Sequence, residues 1–191
     1  ASELQNLIKT YLGGVSFSMA ISAKKDGGSN CYLKLQASAL EENIGYISKA
    51  LNEIITNTIY DEKKIAVILN QAKNNTKESI IQNGMYIAMV EAQAIDVESA
   101  KIRSNLIGST RYDFLTKAIE NVSDFSLKLQ NLLKRVFNRN NMIASVSGSK
   151  AIVEKLENEA SLLELDDSAN PKKLEASLSP NKPRALIIPS E

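Results

Sequence analysis

Residues 12–41 constrain the fold more than any other stretch of the chain. Gly13 and Gly14 lead into an alternating run, in which Val15, Phe17, Met19 and Ile21 interleave with Ser16, Ser18, Ala20 and Ser22. A period of two sends successive side chains to opposite faces of an extended strand. Lys25 to Asn30, with Asp26, Gly27, Gly28 and Ser29 between them, is turn chemistry. A second alternating run sets Cys31, Leu33, Leu35, Ala37 and Ala39 against Tyr32, Lys34, Gln36 and Ser38. Ser38 and Glu41 have capping-box spacing, which predicts a helix beginning there. A lone hairpin is marginal in water. This one must pack on the remainder of the chain, most of which reads as helix.

From Glu42 to Thr58, Ile44, Ile47, Leu51, Ile54 and Thr58 form one stripe at helical spacing. Asp61 is placed to cap a second helix, in which Ile65, Leu69, Ala72 and Thr76 share a face. Asn83-Gly84 either ends that helix or marks a close contact within it. Met85 to Gln93 is apolar on most sides, through Ile87, Ala88, Met89, Val90 and Ala92, which predicts a buried helix. Val97 to Ile107 is another, stopped by Gly108. Arg111 to Glu120 is a short one with Phe114, Leu115 and Ala118 inward. Ser123 is placed to cap a helix through Phe137 that carries Phe125, Leu129, Leu132, Leu133 and Val136.

Asn138 to Asn141 breaks the pattern. Met142 to Ser147 alternates as a strand, and Gly148-Ser149 turns into a helix from Lys150 to about Glu159. Beyond Ser161 periodicity stops, and Pro171, Pro180 and Pro183 punctuate a linker or strap. Ala185 to Ile188 reads as one more short strand. Segregated strands and helices indicate α+β, a mainly antiparallel sheet packed on several helices. The domain reading is a unit over 1–160, then a linker and short strand over 161–191.

The chain of 191 residues carries 23 basic and 22 acidic residues, a net charge of +1. That balance supplies no electrostatic attraction for nucleic acid or an anionic membrane, and neither is expected as a partner. No apolar run has the length of a membrane-spanning helix. Ala1 to Thr10 already reads as helix, without the basic-then-apolar layout of a leader, as if cut from within a longer chain. Histidine is absent and cysteine occurs once. A Ser-His-Asp triad, a Cys-His pair or a histidine-ligated zinc site therefore cannot be assembled from this chain alone.

Each candidate for chemistry has a plainer explanation. Gly13-Gly14 lacks the spacing and lysine of a phosphate loop and precedes a strand instead of a helix. Cys31, without a histidine base, reads as a small buried hydrophobe. Glu91, Asp96 and Glu98 are solvated carboxylates before they are acids or metal ligands. Lys134, Arg135 and Arg139 lie near a helix C-terminus, where the macrodipole favours cations. No catalytic, cofactor-binding or metal-binding residue is assigned.

Three segments together resemble a known family. ELQNLIKTYLGGVSFSMAI, a helix leading through Gly-Gly into an alternating strand, resembles the start of the third domain of presequence-protease and falcilysin-type zinc metallopeptidases, in the pitrilysin–insulinase superfamily. Leu12 stands where threonine is common. IIQNGMYIAMVEAQAIDVESAKIRSNLIGSTRYDFLTKAI is similar to that family's later helices, with Gly84, Ala88, Gly108, Tyr112, Phe114 and Leu115 in place and Met85 where a histidine is expected. NRNNMIASVSGSKAIVEKL resembles the turn, strand and helix that close the domain.

The resemblance implies a processing-peptidase-like metallohydrolase domain. It also implies a parent enzyme of four related domains, whose halves close around a peptide chamber, with residues 161–191 leading toward the fourth. Zinc is implied in the parent's amino-terminal half, on an inverted His-x-x-Glu-His motif and a distal glutamate. An assisting arginine and tyrosine are implied in the fourth domain. None of these carries over to a residue here. The implied role is an inactive, chamber-wall piece of a zinc metalloendopeptidase that degrades short unstructured peptides, such as transit peptides or protein-digestion fragments. Its implied partners are the parent's other domains and the enclosed peptide. Its implied location is a mitochondrion, plastid-like organelle or digestive vacuole. Two other readings stand beside it: a catalytically inactive scaffold subunit of the same fold, and an independent helical interaction module.

Overall fold

The computed structural model of the chain describes residues 2–25, 28–161, 163–165 and 167. The chain is α+β, and its described residues are 65% helical with a two-stranded antiparallel sheet. Its elements in order are α1 (Ser2–Tyr11), β1 (Leu12–Ala23), β2 (Ser29–Ala39), a 3-10 turn at Glu41–Asn43, α2 (Gly45–Thr56), α3 (Glu62–Gln82), α4 (Gly84–Gln93), α5 (Glu98–Asn105), α6 (Gly108–Glu120), α7 (Val122–Val136), a second 3-10 turn at Arg139–Asn141 and α8 (Lys150–Ser161). The described residues pack as two units. One gathers 2–19, 33–59 and 130–167, and the other gathers 20–32 and 60–129.

In the first unit α1 packs on α2, and Tyr11 and Tyr46 stack with centroids 3.9 Å apart and planes 2° from parallel. Leu12, Ile44 and Ala50 are buried here. The two strands approach closely at Gly13, where a Cβ would lie 2.7 Å from the Ser38 Oγ. That contact overturns the expected capping box. Ser38 stays in β2 facing β1, the 3-10 turn begins after Leu40 with no side-chain cap, and α2 starts only at Gly45. The expected alternation survives at the end of β2, where Leu35, Ala37 and Ala39 are half-buried and Gln36 and Ser38 exposed.

In the second unit α3 and α6 pack together around Leu69, Leu115 and Ala118, with Ile65, Ala72, Ile119, Val122 and Phe125 against them. Asp61 caps α3 as its position predicts, its Oδ1 accepting from the Lys63 and Lys64 amides at 2.9 and 3.2 Å. Asn83 ends α3 and also begins α4. At the start of α7 the acceptor is Asn121 instead of the expected Ser123, taking the Asp124 amide at 3.1 Å. Phe114, expected inward, is exposed and meets Phe125 edge-on at 6.1 Å.

Two expectations fail on α4 and after α7. The helix over Gly84–Gln93 buries Ile87 and Val90, but Met85 is 89% exposed and Met89 50%. Residues 142–147 form no strand and are exposed throughout, with Ile143 at 77%. An alternating sequence fixes which side chains share a face, but pairing needs a strand edge within reach. The expected strand over Ala185 to Ile188 lies outside the described residues, as does most of the stretch from Ser161 to Pro183.

Candidate functional site

In the first unit, polar side chains converge where α8 meets the start of α2. Ile44, at the N-cap of α2, has no side-chain acceptor for the helix's free amides. Glu159 of α8 brings a carboxylate there instead, 3.4 Å from where a Cβ on Gly45 would sit. The Ser48 hydroxyl makes short contact with the Glu159 carboxylate and also lies 3.1 Å from the Gly45 carbonyl oxygen. Lys155 Nζ donates to the Glu41 carbonyl at 3.0 Å, and the Glu164 amide donates to Asn52 Oδ1 at 2.9 Å. A cleft of about 350 Å³ lies over this junction, lined also by Glu42, Tyr46 and Lys49. Lys49 Nζ sits 5.0 Å from the Tyr46 ring centroid.

This constellation was not legible in the sequence, because Ser48 and Glu159 are 111 residues apart. Chemically it joins helices. A serine is made nucleophilic by a base that takes its proton, and the chain holds no histidine for that task. A carboxylate at a helix N-terminus instead answers the macrodipole and the unpaired amides. In the same unit Asn138 is 1% exposed, with its Oδ1 accepting from the Asn140 amide at 2.9 Å. Its Nδ2 has no partner among the described residues.

The second unit repeats the device with a residue that the sequence did single out. Ile107 at the N-cap of α6 also lacks a side-chain acceptor. Glu91 of α4 brings its Oε1 within 3.5 Å of where a Cβ on Gly108 would lie. Glu91 is thus half-buried at the positive end of α6 instead of free in solvent. Asp96 is exposed in the turn between α4 and α5, and Glu98 lies in the first turn of α5, where an acid complements the dipole. Among the described residues no three His, Cys, Asp or Glu side chains group as metal ligands. A smaller cleft of about 180 Å³ is lined by Asn75, Thr76, Ser79, Leu106 and Arg111. The Arg111 guanidinium donates to the Leu106 carbonyl at 3.1 Å, at the C-terminal end of α5.

The remaining candidates stand apart. Gly13 and Gly14 lie within β1. Cys31 was expected to be buried and is exposed, as are Tyr32, Leu33 and Lys34 after it in β2. Partial desolvation nevertheless pushes its thiol pKa up, which disfavours the thiolate. Lys134 and Arg135 occupy the last turn of α7, and Arg139 donates to the Leu163 carbonyl at 2.8 Å. Of the residues carrying the resemblance, Leu115 is core, Gly108 begins α6 and the Tyr112 ring lies 5.1 Å from Lys73 Nζ.

The family model described as Peptidase M-16C associated matches residues 1–117. A protein named HypA from Clostridium perfringens is 26% identical over 167 residues, covering 85% of this chain and 17% of its own length. The mitochondrial presequence protease of Drosophila melanogaster is 23% identical over 150 residues, covering 76% of this chain and 14% of its own length. Its counterpart from Eremothecium gossypii is 25% identical over 138 residues, covering 69% and 14%. The chain thus spans no more than 17% of these relatives.

Proposed function

The chain belongs to the peptidase M-16C associated family, and from that membership we propose that it is a non-catalytic wall section of a zinc metalloendopeptidase that degrades short unstructured peptides. The match over residues 1–117 carries the reading, since it spans the hairpin, all of α3 and most of α6. The side chains here do not fit zinc. The chain has no histidine, its one cysteine is exposed with a raised thiol pKa, and among the described residues no carboxylates group as ligands. The metal and the water it activates belong to another part of the parent in this reading.

What this chain contributes is shape and rigidity. Glu159 of α8 meets Ser48 of α2 beside the start of that helix, and Glu91 of α4 lies beside the start of α6. Such tied helices form a firm wall against which an opposing half can close. The parent's location is proposed as an organelle, supported by two relatives named as mitochondrial.

The test is a fluorogenic unstructured peptide offered to the 191-residue chain alone and to the parent protein. The parent cleaves in a chelator-sensitive manner and the chain alone does not. Chelator-sensitive cleavage by the chain alone overturns the proposal.

A further inference from the structure

Helix α4 is apolar on both sides yet buried on only one. Ile87 and Val90 face the second unit's interior, at 9% and 2% exposure. The opposite side presents Met85, Ala88, Met89 and Ala92, spaced i, i+3, i+4 and i+7, all exposed and none charged. Gly84 opens the same side, and a Cβ there would meet nothing within 4 Å. Its backbone φ is not positive, so no local conformation demands glycine. A helix that is hydrophobic all round is a buried helix. A bare backbone at the start of such a face also leaves room for another chain to approach closely.

We infer that the outer face of α4, centred on Met85 and Met89, is a permanent contact surface for the rest of the parent polypeptide. This rests on the reading of the chain as part of a larger peptidase. The length of the relatives argues for this occupant. The chain accounts for 17% of HypA and 14% of the presequence proteases, so most of such a parent lies outside it and is covalently close. The composition argues the same way. A face without charge, built from methionine and small residues, suits an interface formed once on folding, since obligate contacts are the more apolar class. Methionine also adapts its shape to an irregular partner.

The experiment is oxidative footprinting of the parent protein, with methionine sulfoxide read by mass spectrometry on the peptide that carries Met85 and Met89. The reference is the same parent unfolded in denaturant. The expected result is severalfold slower oxidation of both methionines in the folded parent, unchanged on dilution and unchanged by added peptide substrate. Oxidation as fast as in the unfolded parent overturns the inference, because the face is then free. Protection lost on dilution overturns it in favour of a second copy. Protection that requires added peptide overturns it in favour of a substrate face. None of these outcomes depends on whether the chain alone cleaves peptide, so the two proposals fail separately.

Discussion

Replacing Gly108 by alanine tests the packing logic of the second unit most directly. Gly108 begins α6 with φ at +64°, in the left-handed region. A non-glycine residue there costs roughly 1–2 kcal/mol. The new Cβ would sit 2.8 Å from the Ile87 Cγ2, well inside van der Waals contact. Ile87 is itself buried, so it cannot swing clear into solvent. Overpacking of this kind costs roughly 1–3 kcal/mol. Alanine also stiffens the unfolded chain, which returns about 0.4–1 kcal/mol. The net expectation is a loss of about 1–5 kcal/mol. Urea unfolding followed by circular dichroism reads it as a lower midpoint at an unchanged m-value. The clash is separable from the strain by a double-mutant cycle with Ile87→Leu, which removes the β-branch at similar volume. G108A should cost about 1–2 kcal/mol less in that background. A G108A loss below about 0.5 kcal/mol, within the range of a bland surface change, would refute the reasoning. Strict additivity in the cycle would refute the clash and leave only the backbone strain.

Four further expectations each rest on one residue. Asp61→Ala removes both acceptor bonds at the start of α3 and should cost about 1 kcal/mol, read by thermal unfolding, whereas Asp61→Asn should cost far less. Leu115→Ala opens a cavity in the α3–α6 core and should cost about 2–5 kcal/mol; a smaller loss would mean that the core is not where the burial places it. Glu159→Ala should speed amide hydrogen exchange in α8 and the first turn of α2, by removing the Ser48 contact and the carboxylate at the helix end; unchanged exchange in α8 would count against that role. Cys31 should react with maleimide at neutral pH more slowly than a cysteine of the unfolded chain. A raised pKa leaves less thiolate at a given pH, so the gap should close as pH climbs above the folded-state value. Faster labelling than in the unfolded chain would contradict the raised pKa.

Several helix ends were legible because their signals are local. Asp61 lies two and three residues from the amides it accepts from, a distance that sequence displays. Other ends were misread for an equally physical reason. Ser38 and Glu41 match a capping box, but Ser38 lies in β2 close against Gly13 of β1, and the 3-10 turn begins only after Leu40. Ser123 and Asn121 are both good caps two residues apart, and the chain uses Asn121. The carboxylates were the least legible part of the candidate site. Glu91 looked like any surface acid until α4 set it beside the start of α6.

The sequence alone determined the hairpin from its period of two, the helices from their apolar stripes, and the exclusion of histidine chemistry from composition, while the period of two over 142–147 misled. Those are local properties, set by backbone sterics and by which residues are present. Only the tertiary structure decided what each face meets. It brought Glu159 to α2 across 111 residues of chain, and it buried one side of α4 while leaving Met85 and Met89 outside. Periodicity specifies that residues share a face. The identity of the surface opposite depends on how distant segments pack, and no spacing within one helix encodes that.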